Sequence, residues 1–245
     1  MPGQSFRGFA EKVALVTDGA SPTGRAVALQ LALEGAYVIV GYGEAETEGE
    51  RVARELREIG TLAHAVRADA WHAQGVRRLF AAVEEAFGRL DLLVNSAHRE
   101  HQAALDDLTE DAWDEVLAVN LKSAFLCTQA ALPLMRKRPK PAIVNLASEA
   151  GLTAGAGEAH YVASQAGLIG LTRALARTLG PRIRVNCVAQ AIGLGGEHQG
   201  PQGEHAREAK VGRPPLPDET ARACIYLLSS DASAVTGQTL VVAAR

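Results

Sequence analysis

Short apolar runs alternate with helix-patterned stretches along most of the chain. KVALVT (12–17), YVIVGY (37–42), TLAHAV (61–66), LDLLVN (90–95), PAIVNLAS (141–148), RIRVNCVA (182–189) and TLVVA (239–243) read as strands. Between them, helical patterns cover 26–35, 45–59, 72–87, about 109–137, about 157–179 and 217–230. Strands that are apolar at nearly every position are buried on both faces. The alternation therefore predicts an α/β fold, a doubly wound parallel sheet of about seven strands with helices on both sides. A Gly-, Pro- and His-rich stretch, 190–217, breaks the pattern and is expected to be a loop or lid over the strand ends. No repeat or internal linker divides residues 1–245, so a single domain is expected.

Composition narrows the function classes. Hydrophobic residues make up 47% and aromatics only 4%, so a full core has to be built from Ala, Val, Leu and Ile. A formal net charge of -3 provides no field for nucleic acid or an anionic membrane, and neither is expected as a partner. Cys127, Cys187 and Cys224 lie far apart with no metal-ligand spacing, as expected of reduced core thiols in a cytoplasmic protein. No apolar run reads as a membrane span. His98 and His101, three apart in HREH, read as surface residues rather than a metal pair.

The turn after the first strand reads TDGASPTG, an Asp (Asp69) follows the third strand, and NSAH follows the fourth from Asn95. Asn120 lies in the long helix, Ser148 ends the fifth strand, and Tyr161 comes thirteen residues later in YVASQ. In this order and spacing the chain resembles the short-chain dehydrogenase/reductase family from about residue 11 onward. The resemblance implies a Rossmann-type fold with a nicotinamide dinucleotide across the strand ends. It also implies a catalytic set of Ser148, Tyr161 and Asn120, with Tyr161 as general acid or base. Gly24, Asp69 and Asn95 would be the cofactor-binding positions. Paired helices would make a homo- or hetero-oligomer, a dimer or tetramer.

Several positions depart from the family pattern. Asp18 and Pro22 stand where the turn has glycines, His98 where NNAG has its glycine, and Gln190 where a proline is usual. A carboxylate 4–5 Å from a phosphate costs on the order of 3 kcal/mol, and proline removes an N–H from the turn. SPTG instead makes an ordinary helix start, with Ser21 as N-cap and Pro22 at the first helical position. The family's basic partner of the tyrosine is Gln165 here, on the same helical face. Lowering a tyrosine from about 10 to neutrality takes about 4 kcal/mol of differential stabilisation, which an amide cannot supply. Neither Tyr42 nor Gly43, after the second strand, selects NAD or NADP. The expectation is therefore a catalytically silent subunit that pairs with an active relative and binds no cofactor, or binds NAD(P) weakly. The alternative is an active NAD(P)-dependent carbonyl reductase or alcohol dehydrogenase, 3-oxoacyl reductase-like, with an atypical site. A lesser alternative is non-redox ligand binding in the vacated cleft.

Overall fold

The structure is a computed structural model that describes residues 8–44, 46–154, 159–191 and 215–243. Its elements run β1 (Val13–Val16), α1 (Pro22–Leu33), β2 (Tyr37–Tyr42), α2 (Glu46–Glu58), β3 (Ala63–Arg67), α3 (Ala73–Phe87), β4 (Leu92–Asn95) and α4 (Glu110–Leu117). They continue with α5 (Ser123–Met135), β5 (Ala142–Ser148), α6 (Ala150–Thr153), α7 (Ala159–Leu179), β6 (Arg184–Gln190), α8 (Pro217–Leu228) and β7 (Thr239–Val242). Among the described residues the sheet has seven strands in the order β3-β2-β1-β4-β5-β6-β7, and every pairing is parallel. The expected single α/β domain is thus observed. The expected loop at 190–217 lies mostly outside the described residues.

The two-residue period of the strands sorts the core into two layers. Ala14, Val16, Val38, Val40, Leu92, Val94 and Val144 pack under α1, α2 and α8. Val13, Leu15, Ile39, Leu93, Ile143 and Val185 pack under α3, α5 and α7. The three cysteines are buried and unpaired, each in one of these apolar layers or in a smaller one beside α7. Buried Asp91 and half-buried Arg184 hold strand starts and helix ends. Asp91 accepts from the Val13 N–H (3.0 Å) and from Arg138 Nε (2.6 Å), so part of the basic run at 136–140 is spent on the fold. The Arg184 guanidinium donates to the Leu227, Leu228 and Ser229 carbonyls at the end of α8, where a cation suits the helix dipole.

The long helix differs from expectation in two ways. Between α4 and α5 the chain widens into a π-turn over Ala118–Lys122, with Ser123 Oγ bonding back to the Val119 carbonyl. The combined stretch Glu110–Met135 is, by length and mean hydropathy, long enough to cross a membrane, contrary to the reading of the sequence. Part of its apolar surface covers the sheet, through Cys127, Ala131, Leu134 and Met135. The parallel sheet brings the ends of β1, β4, β5 and β6 to one edge, where the candidate site lies.

Candidate active site

At the end of β1 the chain turns sharply. Thr17 bonds the Val94 carbonyl, and its hydroxyl accepts from the Ser96 N–H (2.9 Å), tying the turn to β4. The Gly19 N–H bonds the Gly41 carbonyl and ties it to β2. Asp18 takes left-handed backbone (φ 48°), a conformation that suits glycine and that Asp tolerates better than most residues. Its carbonyl accepts from the Ser21 N–H and hydroxyl. Ser21 caps α1 by accepting from the Gly24 N–H (3.2 Å), with Pro22 following, as SPTG predicts. A Cβ on Gly24 would lie 2.3 Å from the Asp18 carbonyl oxygen, so this glycine is required for helix and turn to meet. Burial without a compensating cation raises the Asp18 carboxyl to about 7.

Across the cleft, Gln190 at the end of β6 accepts from the Thr23 hydroxyl (3.3 Å), a bond the sequence did not foretell. Towards β2 and β3, Asp69 and the ring of Trp71 flank Gly43, and a Cβ there would lie 3.5 Å and 3.6 Å from them. Trp71 was missed at the sequence level because no local pattern aims its ring at residue 43. Asn95 is turned into the core, where it donates to Asn145 Oδ1 (2.8 Å) while its own Oδ1 is buried without a partner. Its direct work is to join β4 to β5.

Ser148, at the end of β5, is 2% exposed, and its Oγ accepts from the Ala150 N–H (3.1 Å). Tyr161 stands on the first turns of α7, 5% exposed. Burial raises its pKa, opposed by a hydrogen bond from Ser148, and the Glu100 carboxylate raises it further. Gln165 lies one turn on but does not face the cleft. Its Oε1 accepts from the Ser148 N–H (2.8 Å), and its Nε2 donates to Ser164 Oγ (3.4 Å). Asn120, on the π-turn, accepts from the Arg99 N–H (2.7 Å) and donates to the Arg99 carbonyl (2.9 Å) and Ser164 Oγ (3.0 Å). It therefore pins the loop after β4 to α7.

His98 departs most from expectation. The sequence places it where the family has a glycine and reads it as a surface residue. In the structure its Nε2 meets the Tyr161 hydroxyl at 2.8 Å, with the rings edge to face (5.4 Å, 88°). The two residues are 63 positions apart, and only the fold joins them. His101 points elsewhere, against His160, which also stacks near Trp113.

The family profile described as enoyl-(acyl carrier protein) reductase matches residues 19–244. The chain is 36% identical over 237 residues to 3-oxoacyl-[acyl-carrier-protein] reductase FabG of Staphylococcus aureus, covering 94% of this chain and 96% of that one. It belongs to the short-chain dehydrogenase/reductase family. A second relative is the (2S)-[(R)-hydroxy(phenyl)methyl]succinyl-CoA dehydrogenase subunit BbsD of Thauera aromatica, 37% identical over 244 residues (96% of each chain). A crystal structure of a dehydrogenase/reductase from Sinorhizobium meliloti superposes with a TM-score of 0.88 at 35% identity, covering 95% of this chain and 94% of that one. These relatives overturn the expectation of a catalytically silent subunit, since full-length matches are known as reductases and dehydrogenases. The expectation of no cofactor loses its support with it. The physical error was to treat each departure from the family pattern as a loss. Asp18 keeps the turn that glycine would make, and His98 brings a titratable group to the tyrosine.

Proposed function

We propose that this chain is an NAD(P)-dependent oxidoreductase that reduces the 3-oxo group of acyl thioesters. Both named relatives act on acyl groups carried by acyl carrier protein or coenzyme A. The observation that carries the reading is the buried Ser148–Tyr161 pair at the end of β5, on the same sheet edge as the β1–α1 turn.

The turn fits a dinucleotide on two counts. The close approach of the Gly24 and Asp18 backbones, which no Cβ would allow, keeps the turn tight at the start of α1, the helix end that favours an anion. Asp18 near 7 is about half protonated at neutral pH, so it can offer a phosphate an O–H where the sequence suggested only repulsion. Gly24, Thr23 and Asp18 would hold the phosphates at the start of α1, and Asp69 with Trp71 the adenosine end. The Thr23–Gln190 bond across the cleft costs only about 1 kcal/mol to open. A bound reduced dinucleotide supplies the hydride.

The remaining chemistry belongs to this chain. Ser148 has one hydroxyl hydrogen, which lies on Tyr161 in the resting site and can turn to the substrate oxygen, while its own oxygen accepts from the Ala150 N–H. Tyr161 donates its proton to the same oxygen as negative charge develops there. Because burial raises Tyr161, the phenol stays protonated at neutral pH and is suited to act as an acid. Running backwards, it would have to ionise first, so oxidation of the alcohol should need a higher pH than reduction.

A homo-oligomer built on the α4–α5 and α7 face is part of this reading. Leu117, Leu121, Phe125 and Leu171 line an open apolar groove of about 620 Å³, and Phe125 is 43% exposed. The enzymatic reading is tested by incubating the protein with acetoacetyl-CoA and NADH or NADPH. Mass spectrometry should detect 3-hydroxybutyryl-CoA with at least one of them. Absence of product with both, at protein concentrations that drive the Staphylococcus aureus relative to completion, would overturn it.

A further inference from the structure

We propose that His98 is the proton relay of this active site, returning to Tyr161 the proton it gives to the substrate. The inference rests on the reductase reading above and names the group that takes on the work of the absent lysine.

Three observations converge on it. His98 Nε2 is 2.8 Å from the Tyr161 hydroxyl, within direct proton-transfer distance. Tyr161 is only 5% exposed, whereas the His98 side chain is 40% exposed and offers the more open route to solvent. The loop that carries His98 is held at both polar groups of the Arg99 backbone by Asn120, so the imidazole is positioned by the fold. Gln165, the positional successor of the lysine, is committed to the Ser148 N–H and can move no proton.

The proton and electron balance is simple. Hydride adds to the carbonyl carbon, the carbonyl π pair moves to oxygen, and the Tyr161 O–H proton passes to that oxygen. The phenolate left behind takes the proton from His98 Nε2 as a water proton binds Nδ1, so the ring ends neutral in its other tautomer. Rotation or exchange with water resets it. Desolvation where the ring packs against Tyr161 lowers the imidazole pKa while Glu100, 3.8 Å from Nε2, raises it, so the ring is neutral at rest and carries a positive charge only in passing. The titratable groups facing His98 are Tyr161 from α7 and Glu100 from its own loop. Arg99 is ion-paired with Glu115 of α4, and His101 rests on His160.

The test compares wild type, His98→Gln and His98→Ala with acetoacetyl-CoA and the preferred dinucleotide. Glutamine keeps a hydrogen bond to Tyr161 but cannot relay a proton. The expected result is a kcat lowered about 10- to 100-fold in both variants with KM within about twofold. Added imidazole should restore part of the His98→Ala rate. A readout independent of turnover is the ¹⁵N resonance of His98, which should shift and change its titration midpoint in Tyr161→Phe. A wild-type kcat in His98→Gln, or a His98 resonance indifferent to Tyr161→Phe, would overturn the relay while leaving the reductase reading intact. A wild type without turnover overturns both.

Discussion

Asp18 shows how much one side chain can change the reading of a motif. It sits in left-handed backbone at the end of β1, and burial lifts its carboxyl to about 7 from an ordinary value of 3.8. Because the folded value is the higher one, the folded state binds the extra proton between these two pH values. The contribution of Asp18 to stability is therefore fullest below about pH 4 and is lost as pH rises through 7. A rise of that size corresponds to at most about 4 kcal/mol, and because Asp18 is only partly buried its contribution is about 2 kcal/mol. Asp18→Asn, which accepts the same backbone geometry, should raise the denaturation midpoint at pH 8 and lose that advantage by pH 4. Paired urea titrations at the two pH values would check this, and an equal difference at both would refute it. Wild-type affinity for the dinucleotide should also weaken above pH 7 as the carboxyl ionises, while that of Asp18→Asn should stay level. None of this was legible from the letter Asp. Its charge state depends on burial by chain segments that the local sequence does not name.

At the scale of elements, what the sequence disclosed was local and what it hid was tertiary. The helix start at SPTG, the strand KVALVT and the shared face of Tyr161 and Gln165 all follow from spacing and cap chemistry, and all appear in the structure. The side-chain directions of Asn95, Gln165 and His98 do not follow, because each is set by a partner on another element: Asn145, Ser148 and Tyr161. The π-turn at Ala118–Lys122 was also hidden, since its apolar pattern continues that of the flanking helix. That turn places Asn120 against the Arg99 backbone and Ser164. Asn120→Ala would leave these groups unpaired and cost about 1–3 kcal/mol. It would also release the His98 loop, so kcat should fall by more than KM changes. Thermal denaturation together with steady-state kinetics would separate the two effects. A variant with full stability and full kcat would show that the pinning does nothing.

For the molecule as a whole, one parallel sheet gathers the ends of β1, β4, β5 and β6 into a single edge and leaves the α4–α5 and α7 face open to the outside. The first property makes the chemistry possible and was readable from the alternation of apolar runs. The second bears on assembly. Phe125→Glu, on a residue 43% exposed, should leave the fold intact and shift the protein to a smaller species in light scattering. An unchanged mass would remove this face as the contact. The expectation of a silent chain failed at this scale, because Asp18 and His98 make contacts that the linear sequence does not show. The central claim is that Tyr161, without a lysine beside it, still works as the acid of a carbonyl reduction. The most direct measurement is the rate of reduced-nicotinamide oxidation with acetoacetyl-CoA for wild type and Tyr161→Phe under identical conditions. The account predicts measurable wild-type turnover and a loss of about 10²- to 10⁴-fold in the variant. Equal rates in the two proteins, or no turnover in either, would contradict it.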